Sequence, residues 1–202
     1  MGQAKHRGSR EQRVAQARGR TVHARPADID SPPIATLCID ISPGQMALQI
    51  PSNPFTGAVE NDCFLNVQKQ IERAGGEQVI GWALWEYPGV FAEAEFHAVW
   101  RDPETGGLLD LNPRPYPWSV ISFLPDPTRS YEGRQVDNVR KALNDNPLIE
   151  QYIHKAQQLF RLMNTGELAH QHGQIAISPS LHREMVGVGM EMERLRLRIF
   201  SN

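Results

Sequence analysis

Phe96-His97-Ala98-Val99-Trp100, then Asp102-Pro103-Glu104-Thr105-Gly106-Gly107, then Leu108-Leu109-Asp110-Leu111-Asn112 reads as two strands around a turn, and this stretch decides the fold. The central six residues are turn chemistry, so 108–112 is expected to pair antiparallel with 95–100. A hairpin centred near Pro103-Glu104 sets His97 opposite Asp110 on one face, where paired Cβ atoms stand about 4.5–5.5 Å apart. A carboxylate in that position holds the imidazole Nδ1–H and leaves Nε2 to accept a proton. Asn112, on the same face, is the second candidate for that task.

Working outward, Val79 to Glu86 has strand composition, and Pro88-Gly89 turns it back into Phe91–Arg101. Period two places Glu93, Glu95, His97 and Val99 on one face of the second strand and Ala94, Phe96, Ala98 and Trp100 on the other. Upstream, Cys63-Phe64-Leu65-Asn66-Val67-Gln68-Lys69-Gln70-Ile71 has apolar residues at helical spacing. Asn61 or Asp62 is placed to cap that helix, and Gly75-Gly76 ends it. Cys63 therefore falls in the first turn, where unpaired amide N–H groups and the helix dipole favour a thiolate and bind an oxyanion. A cysteine packed under a helix start and a histidine packed in a strand are the plain alternatives. The constellation weighs against them because each member has an appropriate chemical setting.

The order Cys63, His97, Asp110, with His97-Ala98-Val99-Trp100 before the turn and Leu109-Asp110-Leu111-Asn112-Pro113 after it, resembles the core of papain-fold thiol enzymes. The branch it resembles is the transglutaminase-like and arylamine N-acetyltransferase-like one, over roughly residues 55–115. The resemblance implies an α+β fold with a papain-like, transglutaminase-like core: a Cys-bearing helix packed on an antiparallel sheet, with helices added at the C-terminus. It implies Cys63 as nucleophile, His97 as base and Asp110 as orienting carboxylate. The lead-in departs from the family's Gly-x-Cys-Trp, reading Asn61-Asp62-Cys63-Phe64, and no glutamine stands just before the cysteine. Asn61 is the nearest side-chain amide for an oxyanion site, with Asn112 a secondary candidate.

The expected activity is that of a cysteine-nucleophile hydrolase of the amidase, peptidase or deamidase type, acting on a protein, peptide or small amide. Acyl transfer on the same triad is the alternative. Glu95, Trp82 and Trp118 are candidate walls of the substrate site, and Glu93 and Glu95 would favour a cationic substrate or amine acceptor. The chemistry calls for no metal and no cofactor; His170, His172 and His182 are read as surface residues for want of a ligand cluster.

The rest of the chain frames that core. Its 202 residues, 40% of them hydrophobic, allow one domain with appended segments. Net charge is −2, but residues 1–25 carry seven cations against Glu11, leaving −8 on the remainder. Residues 1–31 are expected to be a disordered basic arm, residues 32–125 the catalytic core and 126–202 a helical extension. The arm is a candidate contact for nucleic acid or an acidic partner, which keeps open a non-enzymatic interaction protein. Ile34–Ile41 and Met46–Ile50 are expected strands, with Cys38 a buried, inert thiol in the first; Ser119–Pro125 is a later strand candidate. Asn146-Pro147 opens a helix that Asn164-Thr165-Gly166 stops. Leu181, Met185, Val188, Met192, Leu195 and Ile199 form a heptad seam, either docking to a partner helix or homo-oligomer or lying on the chain's own domain. Two cysteines make no disulfide framework, and no apolar run approaches the ~20 residues of a membrane span, so a cytoplasmic protein of bacterial soluble type is expected.

Overall fold

The computed structural model describes residues 23–116, 118–170 and 175–201. Over these described residues it is a mixed α/β structure, with four α-helices against a seven-stranded sheet whose strand ladders are all antiparallel. The strands are β1 (Arg25–Pro26), β2 (Leu48–Pro51), β3 (Glu77–Tyr87), β4 (Phe91–Arg101), β5 (Leu108–Leu109), β6 (Val120–Pro125) and β7 (Val139–Ala142). The helices are α1 (Pro32–Ile41), α2 (Cys63–Ala74), α3 (Pro147–Met163) and α4 (Pro179–Ile199).

The long hairpin β3–β4 is the spine, paired from Glu77↔Arg101 to Tyr87↔Phe91. Each of its outer edges carries two short partners: β6 and β1 along β3, β5 and β7 along β4. β2 adds to β6, giving the order β2-β6-β3-β4-β5. Just beyond β2 and β5, Ser52 and Asp110 form a parallel bridge, with Asp110 N–H donating to Pro51 O and Asn53 N–H to Asp110 O, each at 2.9 Å. The sheet is thereby closed on itself at one end, around Ile50, Ala83, Trp85, Val99, Ile121 and Phe123. The other face of the hairpin is covered by α1, through Ile34, Leu37 and Cys38, and by α2, through Val67 against Ala98 and Trp100.

Two expectations for the first half of the chain are corrected. Residues 34–41 form a helix, not a strand, and do not pair with β2. Ser31 is its N-cap and Pro32-Pro33 occupy its first turn, where a missing N–H is harmless. The buried Ile34, Leu37 and Cys38 then fall at helical spacing, so tertiary packing overrides the β-branched composition. Part of the arm also belongs to the sheet. Arg25–Pro26 pairs with β3, Ala27 is buried, and Ser122 Oγ donates to Ala27 O at 2.7 Å. Residues 1–22, which hold most of the basic charge, lie outside the described residues.

The C-terminal third contributes more than helices. β7, which periodicity did not reveal, pairs with Phe91–Ala94, and Ile149, Ile153, Leu195 and Ile199 pack around Phe91. The α3 helix starts on an Asn146 side-chain cap, as its Asn-Pro signal predicts. The heptad seam of α4 meets α3 of the same chain, with Lys155 Nζ 2.6 Å from Glu191. Its partner helix is therefore an internal one. Among the described residues no helix is long and apolar enough to cross a membrane.

Gly81 marks the tightest packing in the sheet: a Cβ there would sit 2.2 Å from the Leu124 carbonyl oxygen and 2.7 Å from Phe123 Cζ. Gly81→Ala is expected to destabilise by about 1–3 kcal/mol through forced movement of β6. Gly187→Ala, in open space within α4, is expected to stabilise by about 0.5–1 kcal/mol. Urea unfolding midpoints of the two variants should move in opposite directions.

Candidate functional site

The hairpin register differs from the sequence expectation, and the difference explains the site. Trp100 pairs with Leu109 and Arg101 with Leu108. Extended by three residues, this register would put Asn112, not Asp110, opposite His97. The ladder instead stops at Leu109, and the chain turns toward Ser52. That turn carries the Asp110 carboxylate to the imidazole, with His97 Nε2 at 2.8 Å from Asp110 Oδ1. Both side chains are fully buried.

Asp110 is held on all sides. Ser52 Oγ donates to Oδ2 at 2.7 Å, Arg114 donates to the same oxygen, and Asn112 N–H reaches Oδ1 at 3.2 Å. Burial alone would raise the carboxyl pKa. The hydrogen bonds from His97 and Ser52 and the charges of His97 and Arg114 outweigh it and hold the group at about 2. Ser52 and Arg114 were not singled out from the sequence. Arg114 four residues after Asp110 was the available signal for one of them.

The imidazole is oriented the opposite way to the expectation. Nε2, not Nδ1, faces the carboxylate, and Nδ1 is buried without a hydrogen-bond partner. The group beside the ring is the Cys63 thiol, at the first residue of α2. It acts on the imidazole by its charge and by a side-chain hydrogen-bonding contact, although no bond of aligned geometry is closed at Nδ1 among the described residues. Burial pushes the His97 pKa down. The charge of a Cys63 thiolate and the interaction with Asp110 push it up further, to about 10.

Cys63 reaches a histidine on the far face of β4 because the sheet is interrupted there. β7 pairs with Phe91–Ala94 and β5 with Trp100–Arg101, so among the described residues no strand covers residues 95–99 on that edge. The N-terminus of α2 sits at this gap. Asp62 is its N-cap but makes no side-chain cap, so the first N–H groups of the helix are left for another acceptor. The lead-in is clamped by Asn66, a fully buried residue within α2: its Oδ1 accepts from Val59 N–H and its Nδ2 donates to Val59 O, each at 2.8 Å. Asn66 Nδ2 also donates to Asn112 Oδ1 at 3.3 Å, joining the helix to the chain beyond Asp110. Asn61 adopts a left-handed φ of 60° just before the cysteine. No local sequence signal marks Asn66 for this role, and only its burial reveals the clamp.

Two clefts, of about 400 and 450 Å³, meet at this point and share Asn61, Glu95 and Asn112 in their walls. The first contains Cys63 and is bounded by Phe64, Tyr131 and the 134–140 segment, with α3 behind it. The second is lined by Trp85, Tyr116 and Trp118. Of the three residues expected at a substrate wall, Glu95 lines both clefts and Trp118 the second, whereas Trp82 lines neither. Trp82 pairs with Phe96 across the hairpin, on the core face, and donates Nε1–H to the buried Asp126 carboxylate at 3.0 Å. Its buried partner, Asp126, explains why an indole is tolerated there. Cys38 is a free, buried thiol on α1, away from both clefts, and burial pushes its pKa up. Among the described residues no group of three or more His, Cys, Asp or Glu is arranged to hold a metal ion; His172 lies outside them.

Comparison of the chain with protein-family models, with curated proteins and with solved structures gave no match.

The two buried charges carry opposite pH dependences. Asp110, lowered from 3.8 to about 2, contributes stability that is fully present above 3.8 and is lost as pH falls through about 2. His97, raised from 6.5 to about 10, contributes stability that is fully present below 6.5 and is lost as pH rises through about 10. Asp110→Asn is expected to lower the unfolding free energy at pH 5 by on the order of 2 kcal/mol and to flatten the acid limb of a urea-midpoint profile. An acid limb identical to wild type would contradict the assignment.

Proposed function

We propose that the protein is a cysteine-nucleophile amide hydrolase acting through Cys63, His97 and Asp110. The observation that carries the proposal is the buried, unpartnered Nδ1 of His97 beside a thiol at the open end of a helix. A buried ring nitrogen without a partner is costly, and a proton exchanged with an adjacent nucleophile is a use that accounts for it.

In this mechanism Nδ1 takes the Cys63 proton, while Asp110 holds Nε2–H and stabilises the imidazolium. The thiolate adds to the amide carbonyl carbon, and the carbonyl oxygen becomes an oxyanion. The free N–H groups at the start of α2 receive that oxyanion, with the side-chain amide of Asn112 or Asn61 as a further donor from the cleft wall. The imidazolium then protonates the amine as the C–N bond breaks, leaving a thioester on Cys63. Water, deprotonated by the imidazole, attacks the thioester carbonyl. The thiolate departs, and a carboxylic acid is released. Transfer to an amine in place of water would use the same residues.

A Cys-bearing helix against an antiparallel sheet, with the histidine in the middle of β4 and the aspartate just past the end of the neighbouring β5, supports placing the core with the papain-like, transglutaminase-like thiol enzymes. Iodoacetamide labelling at neutral pH, followed by mass spectrometry, tests the proposal. Cys63 is expected to react at least tenfold faster than Cys38, and about tenfold or more faster than Cys63 in His97→Ala. Slow labelling of both thiols at equal rates would sink the enzyme reading.

A further inference from the structure

Glu95 is the polar group closest along the chain to His97 on the same strand face, and it lines both clefts. Of the other charges lining the clefts, Glu93, Arg114, Asp137, Arg140 and Arg196 are paired within the protein, while Glu60, Asp62 and Arg134 have no ion pair among the described residues. Glu93 is paired with Arg140 at 2.8 Å and accepts from Asn138 at 2.7 Å. Arg196 is bound by Glu193 at 2.7 Å, and Arg114 by Asp110. Glu95 has no ion pair among the described residues. Its one hydrogen bond there is from Trp85 Nε1 to Oε2, at 2.9 Å. That bond fixes the carboxylate in the cleft without cancelling its charge. Trp118 and Tyr116, both substantially exposed, supply aromatic surface in the same cleft.

We propose that Glu95 and the aromatic wall of the second cleft form a subsite for a cationic group of the substrate, so that the preferred amide bears an ammonium or guanidinium near the scissile carbonyl. The proposal rests on the hydrolase reading of Cys63. Two residues of strand separate Glu95 from His97, about 7 Å along the chain. A cation at Glu95 therefore lies about two residues' length from the imidazole that flanks the carbonyl under attack. Aromatic faces attract such cations, and an unpaired carboxylate in a partly desolvated cleft attracts them more strongly than one in open water. The subsite is distinct from the imidazolium, which by itself would favour an anion at the thiol.

The test needs no substrate. Three methanethiosulfonates, one cationic (trimethylammonium-ethyl), one anionic of similar size (sulfonatoethyl) and one small and neutral (methyl), each transfer their thio group to a thiolate, forming a mixed disulfide and releasing methanesulfinate. Rates at Cys63 in the full-length protein are read by mass spectrometry and divided by the rates with a small free thiol. At low ionic strength the cationic reagent is expected to exceed the anionic one by about tenfold, as a unit charge about 7 Å away predicts at an effective dielectric well above that of a dry interior. High salt should reduce the ratio. Glu95→Gln keeps an acceptor for Trp85 and should bring the ratio to one or below, where the imidazolium acts alone, while Glu104→Gln, on the exposed hairpin tip, should leave it unchanged. An equal ratio in Glu95→Gln and wild type, or faster reaction of the anion with wild type, would overturn the subsite. Fast reaction with the neutral reagent alongside no charge preference overturns the subsite alone. Slow reaction of Cys63 with all three removes the nucleophile and the subsite together.

Discussion

The buried carboxylate of Asp110 is the constraint on which this structure depends. It lies where three parts of the chain converge: the end of β2 through Ser52, the centre of β4 through His97, and the segment after β5 through Asn112 and Arg114. An ionised carboxyl without solvent is tolerated only when its lone pairs are filled, and here His, Ser, Arg and a backbone N–H fill them. The same residue's N–H and C=O complete the bridge that closes the sheet. One side chain and one peptide unit thus join the electrostatics of the site to the closure of the fold.

That arrangement also determines what the imidazole can do. With Nε2 committed to Asp110, the ring cannot turn away, and Nδ1 is directed to the gap in the β4 edge where α2 begins. The gap exists because β5 and β7 are both short and pair with opposite ends of β4. Had either strand continued, its backbone would occupy the space in which Cys63 meets His97. Asn66 holds the other side of the gap, tying the loop before the cysteine to its own helix and to Asn112. Rigid elements on both sides of the gap thus hold the thiol and the imidazole by packing and not by loops alone.

Much of this was legible in the sequence where the signal is local. The helix at Cys63 follows from apolar spacing and a Gly-Gly stop, and Gly75 indeed takes a positive φ of 71° at its C-cap. The β3–β4 hairpin follows from its Pro-Gly turn, and the start of α3 from Asn-Pro. The segment expected as a strand at 34–41 is a helix: its β-branched and apolar residues carry strand propensity, but the Ser-Pro-Pro start and the spacing of Ile34, Leu37 and Cys38 carry the helical signal. Trp82, expected at a substrate wall, is core because its register partner is Phe96, on the face opposite His97.

The sequence by itself determined which residues have chemistry to offer and which short elements carry them: a thiol opening a helix, an imidazole in a strand, a carboxylate after a turn. Tertiary structure alone decided that the carboxylate reaches the imidazole by leaving the ladder, that it binds Nε2, and that Trp82 is core while Glu95 faces the clefts. The physical reason is range. Caps, turns and periodicity act over a few residues, whereas the Ser52–Asp110 bridge and the Asn66–Asn112 contact join positions 58 and 46 residues apart. Such contacts are selected by the burial of polar groups in the whole fold, and no local pattern encodes them.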